Sequence, residues 1–193
     1  VIAMLALGNG ARAAVESRFR FLGANQVQIS TQMAFDDDEL VTAGKELTYE
    51  DGLLMPTEVE LVSRVDMAIN APGKARFGRA TLDLTISGVT GSTLERVVSS
   101  GEVQPVDRQD GEALTAESYL ADGRFFTDVE VLEHGPVCVL GSQTATDLFG
   151  GDDPIGQTIW VNRARCEVIG VLAELEFADE SERYRDNPNL DLY

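Results

Sequence analysis

The stretch 135–172 constrains the fold of this chain most, because its local signals agree from one end to the other. An unbroken apolar run at 137–140 follows a proline and predicts a strand that is covered on both faces. Ser142 is expected to cap a short amphipathic helix, and Gly150 or Gly151 supplies the left-handed residue that ends it. The stretch therefore begins as a strand followed directly by a helix.

Two strands rich in β-branched residues complete this stretch. The first strand covers 158–161 and the second covers 166–172, and a tight turn at Asn162-Arg163 joins them. A two-residue turn would place Trp160, the single tryptophan, opposite Arg165, where the two side chains stack as an ordinary cross-strand pair. The sequence thus predicts a β-α-β-β unit.

Two cysteines, Cys138 and Cys166, lie in the first and last strands of this unit. Neither belongs to a CxxC or Cys/His spacing, so we expect no zinc site. If the two strands are neighbours and their side chains point to the same face, the sulfur atoms face one another. Two alternatives stay open: a disulfide bond in an oxidising compartment, or two buried free thiols.

The charge of the chain excludes one class of function. Its 193 residues include 33 acidic and 15 basic side chains, which give a formal net charge of −18. Such a charge repels nucleic acid and anionic lipid headgroups, so we expect no nucleic-acid partner. The hydrophobic fraction of 44% is enough for a buried core in one domain or in two small ones.

The inventory of reactive side chains argues against an enzyme. The single histidine, His134, lies in an acidic loop, and no serine or cysteine resembles a catalytic nucleophile in its context. The glycine at 141 is not followed by the lysine of a phosphate-binding loop, and the acidic cluster 36–39 lacks the spacing of a calcium loop. We therefore expect no catalytic, cofactor-binding or metal-binding residue.

The amino-terminal part of the chain is predicted to be mainly helical. The apolar segment 1–7 fits either the end of a transmembrane helix, with Arg12 at the exit into water, or a buried amphipathic helix. Helical periodicity continues over 11–22 and stops at Gly23. Alternating residues at 26–30 then predict a half-buried strand.

A helix and a hairpin are predicted next. Thr48 and Asp51 form a capping-box pattern that begins a short helix, which Pro56 is expected to stop or kink. Alternating apolar residues predict a hairpin over 59–87, with its turn at 71–74. The polar segment 99–117 has no clear period and is predicted to be a linker or insert.

Short motifs along most of the chain resemble the MacB-like periplasmic core domain of ABC transporter permeases. They occur in the family's order: Ala6-Leu7-Gly8-Asn9-Gly10-Ala11-Arg12, Leu22-Gly23-Ala24-Asn25, Gly88-Val89-Thr90, Gly123-Arg124-Phe125-Phe126, 137–141, Leu148-Phe149-Gly150, Asp153-Pro154-Ile155-Gly156 and Val168-Ile169-Gly170-Val171. The resemblance implies an α+β, two-lobed extracytoplasmic domain: a porter-like α/β lobe and a second mixed α/β lobe that contains the β-α-β-β unit. A stalk helix precedes them.

The resemblance also implies domain boundaries. Residues 1–23 would be the end of a transmembrane helix and the stalk, and 24–98 the porter-like lobe. Residues 99–117 would be the linker or insert, and 118–193 the second lobe. The family's return to the first lobe is missing from this sequence, so the first lobe is expected to be incomplete.

The function that the resemblance implies is not enzymatic. The domain would belong to a permease of the inner membrane and would couple cytoplasmic ATP hydrolysis to export or to work on the cell envelope. Its expected partners are an ABC ATPase subunit or domain, a second permease copy in a homodimer or heterodimer, a periplasmic adaptor and an outer-membrane duct. Exposed turns at Asp152 and Arg163 are the predicted partner contacts. The alternative is a free-standing extracytoplasmic domain that binds a small ligand.

Overall fold

The computed structural model describes residues 27–30, 32–36, 39–43, 47–100, 103–107, 113–177 and 188–193. The chain divides into two compact units, Val1–Met67 and Ala68–Tyr193. The predicted membrane segment 1–7 and stalk helix 11–22 lie outside the described residues. No helix in the described ranges is long and apolar enough to cross a membrane.

The described part of the first unit contains an antiparallel hairpin and one helix. Strands β1 (Gln32–Asp36) and β2 (Glu39–Ala43) pair with each other. This hairpin was not predicted, and the described residues 27–30 of the predicted strand 26–30 form no strand.

Helix α1 (Tyr49–Glu58) begins as the sequence predicts. Thr48 accepts a hydrogen bond from the Asp51 backbone, and the Asp51 side chain accepts one from the Thr48 backbone, which confirms the capping box. Of the two expected effects of Pro56, a stop is wrong, since the helix runs two residues past it, and a kink stays a prediction. The proline lies in the last turn, where its missing N–H costs a single hydrogen bond.

The second unit opens with a hairpin whose turn differs from the prediction. Strands β3 (Ala68–Phe77) and β4 (Ala80–Val89) are joined at Gly78, which has a φ of 55°, and 71–74 lies inside β3. Pro72 is tolerated within the strand because its backbone nitrogen points to the same side as the Lys74 N–H, which donates to Asn162 and not to β4. On that side β3 pairs with β8 only at Ala75 and Arg76, so no ladder hydrogen bond is lost.

The predicted β-α-β-β unit is present. It consists of β7 (Val137–Leu140), α4 (Ser142–Phe149), β8 (Thr158–Val161) and β9 (Ala164–Leu172). Gly150 adopts the predicted left-handed conformation, with a φ of 62°. The predicted cap is wrong: Gly141 is the N-cap and Ser142 is the first helical residue, with its hydroxyl donating to Asn189 instead.

The remaining elements surround this unit. They are α2 (Thr93–Ser100), β5 (Val103–Pro105), a 3-10 turn (Ala116–Tyr119), β6 (Leu120–Gly123), α3 (Asp128–Leu132), β10 (Leu175–Phe177) and a second 3-10 turn (Pro188–Leu190). The six-stranded sheet has the order β4-β3-β8-β9-β6, with β7 paired in parallel to β9. A short second sheet pairs β5 with β10.

The last residues close the sheet into a circuit. Leu192 bridges β4 at Ile86 and β7 at Leu140, and the backbones of Val139 and Tyr193 exchange two hydrogen bonds. Pairings can therefore be followed from β7 through β9, β8, β3 and β4 back to β7. Gly141 permits this approach, because a Cβ there would lie 2.4 Å from the carbonyl oxygen of Asn189.

Two apolar clusters form the core of the second unit. The inner cluster packs between α4 and the strands and consists of Ala75, Cys138, Leu140, Ala145, Leu148, Phe149, Ile159, Cys166, Val168, Val171 and Leu192. The second cluster consists of Leu94, Tyr119, Phe126, Val139, Ile169, Leu172 and Leu175. Successive residues of β9, Val168 and Ile169, belong to different clusters, so this strand is buried on both faces.

One sheet joins segments that are far apart in the sequence. The hairpin of β3 and β4 belongs to the same sheet as β8, and β3 pairs directly with β8. This pairing joins residues about 85 positions apart, and local sequence signals do not show such contacts.

Candidate partner-binding surface and cysteine pair

The turn between β8 and β9 is held firmly against β3. Asn162 is left-handed, with a φ of 53°, and its backbone N–H donates to the Lys74 carbonyl oxygen over 2.8 Å. The Lys74 N–H donates back to Asn162 Oδ1 over 2.9 Å. Asparagine tolerates the left-handed conformation well, so Asn162 favours a tight turn between β8 and β9. Its two hydrogen bonds with Lys74 hold this turn beside β3.

Three side chains cross the outer surface of these strands in a row. Arg76 of β3 pairs with Trp160 of β8, which pairs in turn with Arg165 of β9. The Cζ atoms of Arg76 and Arg165 lie 5.9 Å and 4.6 Å from the centre of the tryptophan ring, within the range of a cation–π contact. The predicted contact of Trp160 with Arg165 is confirmed. We call these three residues the arginine–tryptophan row.

The row lies on the side of the sheet that faces away from α4. Its strand neighbours Ala75, Ile159 and Cys166 belong to the inner cluster, and successive side chains of a strand point to opposite faces. Trp160 is 36% exposed, and both arginines are exposed. The row is therefore a solvent-facing surface on a fixed backbone.

The charges of this row are not balanced by ion pairs within the part of the chain that the structure describes. No carboxylate in the described ranges forms a salt bridge with Arg76 or Arg165. Nearby, Lys74 pairs with Asp83, while Glu167 is an exposed carboxylate on β9, two residues beyond Arg165. In a chain with a net charge of −18, two arginines stacked on one tryptophan form a local positive site. Their guanidinium N–H groups suit a carboxylate ligand.

The two predicted contact residues lie in exposed turns that precede and follow β8 in the sequence. Arg163 occupies the exposed turn beside Asn162, next to the row. Asp152 lies in the exposed turn after α4, ahead of β8, and its N–H donates to the Phe149 carbonyl oxygen. Asp152 and Arg163 therefore lie in two different turns, one ahead of β8 and one directly after it.

Cys138 and Cys166 are brought together in the inner cluster. Cys138 pairs with Val168 of β9, and Cys166 lies two residues before Val168 and so faces the same side. The Sγ atoms are 2.6 Å apart, and the two residues are 2% and 9% exposed. The sequence left open whether the two strands are neighbours and whether both side chains point to the same face, and the structure shows that both are the case. Both cysteines are in the free form here.

The contact between the sulfur atoms makes the two thiols unequal. The hydrogen bond with Cys166, together with burial, raises the pKa of the Cys138 thiol well above its usual range. The same hydrogen bond lowers the pKa of Cys166, against the opposing effect of burial. Cys166 is therefore the thiol of the pair that loses its proton more readily.

Other candidates offer less chemistry. His134 is exposed after α3, where its φ of 54° ends the helix. Among the described residues, no group of three or more histidine, cysteine or acidic side chains is arranged to hold a metal. A surface depression of about 310 Å³ lies between β3, β4 and Asn162. This volume is at the low end for small-molecule sites, which start at about 300 Å³.

Arg76 is the member of the row that sequence reasoning missed. Its place depends on the β3–β8 pairing, and the proline and glycine at 72 and 73 indicated a turn rather than a strand. A usable signal was present in Gly78-Arg79, which lies between Phe77 and the alternating residues of β4. A turn at that point places Arg76 on a strand.

Comparisons with known proteins give one consistent family. A family model described as the MacB-like periplasmic core domain matches residues 1–187. The macrolide export ATP-binding/permease protein MacB of Chlorobium luteolum is 28% identical over 179 residues, which covers 89% of this chain and 23% of that protein. The protein of the same name from Chlorobaculum tepidum is 28% identical over 181 residues, covering 92% and 25%. The chain spans about a quarter of the length of these curated relatives.

A solved structure shows a similar fold. The extracellular domain of the noncanonic ABC-type transporter YknZ from Gram-positive bacteria aligns with a TM-score of 0.51 and 26% identity. The alignment covers 66% of this chain and 58% of that one. The predicted mixed α/β class is confirmed by this likeness and by the strands and helices described above.

Proposed function

Because the chain belongs to the family of MacB-like periplasmic core domains, we propose that it works outside the cytoplasmic membrane as part of an ABC transporter permease. In this role it relays conformational change from cytoplasmic ATP hydrolysis to a substrate or adaptor, and it catalyses no reaction itself. The observation that carries the proposal is the family match over residues 1–187. An ATPase, fused or separate, and a second permease copy are the partners that such a role requires.

The proposed relay needs a stiff connection between membrane and domain. The helical periodicity at 11–22 makes this segment the candidate stalk. Replacing Val15-Glu16 by Gly-Gly in the full transporter should abolish transport while the ATPase stays assembled, because paired glycines weaken a helix by about 2 kcal/mol. The matched control is Ala-Ala at the same positions, which keeps the helix. Unchanged transport by the Gly-Gly variant would contradict a mechanical role for this segment.

We further propose that the arginine–tryptophan row contacts an acidic segment of the periplasmic adaptor. Support comes from its exposed position, its fixed backbone and two guanidinium groups without a salt bridge to a described carboxylate. Tryptophan and arginine are also the residue types most enriched where partners bind strongly. Arg163 adds a positive charge beside the row, and Asp152 is proposed as a separate contact.

The adaptor contact is tested by charge reversal in the full transporter. Arg76→Glu with Arg165→Glu should weaken adaptor capture by about tenfold or more, since each reversal replaces attraction by repulsion. Arg96→Glu on α2 makes the charge change of one such reversal away from the row, so it is the matched control for Arg76→Glu or Arg165→Glu made alone. Separate reversals of Arg163 and Asp152 test each predicted contact, and full retention of the adaptor would dismiss the contact concerned.

A further inference from the structure

We propose that Cys138 and Cys166 form a disulfide bond that ties β7 to β9 in the second unit. The inference goes beyond the proposed function and rests on it in one respect, the extracytoplasmic location. The bond would be a structural crosslink, since it joins two strands of one sheet.

The geometry requires almost no movement. The Sγ atoms are 2.6 Å apart, about half an ångström more than the ~2.05 Å of a disulfide bond. Both side chains already point into the inner cluster from adjacent parallel strands. These are the only two cysteines of the chain, so no other cysteine within it competes for either sulfur.

The surroundings favour a permanent bond over a switch. Cys138 is 2% exposed and Cys166 is 9% exposed, so small reductants have little access to either sulfur once the unit is folded. Extracytoplasmic compartments sustain disulfides, whereas the cytosol keeps thiols reduced. The pair therefore forms as the chain folds outside the membrane, before α4 packs over it.

The chemistry is thiol–disulfide exchange with an oxidised dithiol protein as the oxidant. The Cys166 thiolate attacks one sulfur of that protein's disulfide, which forms a mixed disulfide and releases one thiolate of the oxidant. The Cys138 thiolate then attacks Cys166 Sγ and releases the second thiolate. The two cysteines lose two electrons and two protons, and the oxidant takes up both and leaves as a dithiol. The opposite order, with Cys138 as the first nucleophile, balances equally, since neither thiol is yet buried when the bond forms.

The direct test uses the full-length transporter, without substitution. Cells are quenched in acid, the protein is denatured and alkylated without reduction, and the chain is cut with trypsin. Cleavage places Cys138 in the peptide 125–163 and Cys166 in the peptide 166–183. The expected product is a linked pair whose mass is the sum of both peptides less two hydrogen atoms. Recovery of both peptides mainly in the alkylated form would overturn the proposal.

A second measurement separates failure of the disulfide from failure of the proposed location. Arg163 is exposed, so an Arg163→Cys variant is treated in intact cells with a membrane-impermeant maleimide. Labelling shows that the domain is extracytoplasmic, and free Cys138 and Cys166 would then count against the disulfide alone. An unlabelled site that reacts only after cell lysis would instead contradict the location and with it the compartment on which the disulfide depends.

Discussion

The two faces of the β8–β9 hairpin differ in burial and in charge, although adjacent residues contribute to them. On the inner face, Ile159 and Cys166 lie in a dry cluster beneath α4. On the outer face, the side chains of Trp160 and Arg165 stack on each other and are exposed to solvent. This contrast arises because successive side chains of a β-strand point to opposite faces of the sheet.

The inner side chains contribute to stability, and the outer side chains are available for recognition. Every inner side chain fills volume or contacts another inner side chain, so a change there should affect folding. The outer row leaves charged N–H donors directed at solvent, so a change there should affect binding more than folding.

Truncation of a side chain in the inner cluster should destabilise the second unit severely. Phe149 is 6% exposed, and its ring centroid lies 4.2 Å from that of Phe77. Phe149→Ala should lower the free energy of unfolding by about 3–5 kcal/mol through lost burial and a cavity. Trp160→Ala on the outer face is the matched aromatic control and should cost about 1 kcal/mol, mainly the exposed cation–π contacts. Urea unfolding followed by circular dichroism measures both, and equal losses would refute the division.

Reduction of the proposed disulfide should have the next largest effect. A closed loop of this length contributes about 3–4 kcal/mol, chiefly by restricting the unfolded chain. Unfolding in urea with and without a strong reductant measures this difference. The control is the double variant Cys138→Ala, Cys166→Ala, whose stability should not respond to the reductant. A response in the double variant, or none in the natural chain, would count against the crosslink.

The inner face was largely predictable from sequence, and the outer row only in part. The elements β7, α4, β8 and β9 and the Asn162 turn follow from periodicity and turn chemistry, which are local. Trp160 and Arg165 are neighbours through a two-residue turn, so their contact was also predictable. Arg76 was not, because it joins the row through a pairing between distant segments.

The bridges that close the sheet could not be predicted from the local sequence either, because they also join distant segments. The segment 191–193 is too short to show a period, and its bridges to β4 and β7 involve the backbone. Asn189 supports it by pairing with both backbone groups of Leu175, over 2.8 Å and 2.7 Å. An asparagine in a loop gives no sign in the sequence of such a distant partner.

Arg124 differs from the two arginines of the row, because it is a surface arginine with a carboxylate partner among the described residues. Its guanidinium donates two hydrogen bonds to Glu130, over 2.9 Å and 2.6 Å, and the same carboxylate accepts from the backbone and hydroxyl of Thr127. The Arg124 hydrogen bonds, followed by the Thr127 backbone, lower the pKa of Glu130 from 4.5 to about 2. This carboxylate therefore stabilises the fold in its charged form.

The pH dependence has a definite direction. The stabilisation is fully present above the unfolded pKa of 4.5 and is lost as the pH falls through the folded pKa of about 2. Since Arg124 is 54% exposed, solvent screening limits the effect to about 1 kcal/mol. Glu130→Gln should therefore be less stable than the natural chain near neutral pH, and urea titrations at decreasing pH should show the difference shrinking. The double variant with Arg124→Gln isolates the ion pair, and a coupling free energy that stays constant down to about pH 2 would contradict the assignment.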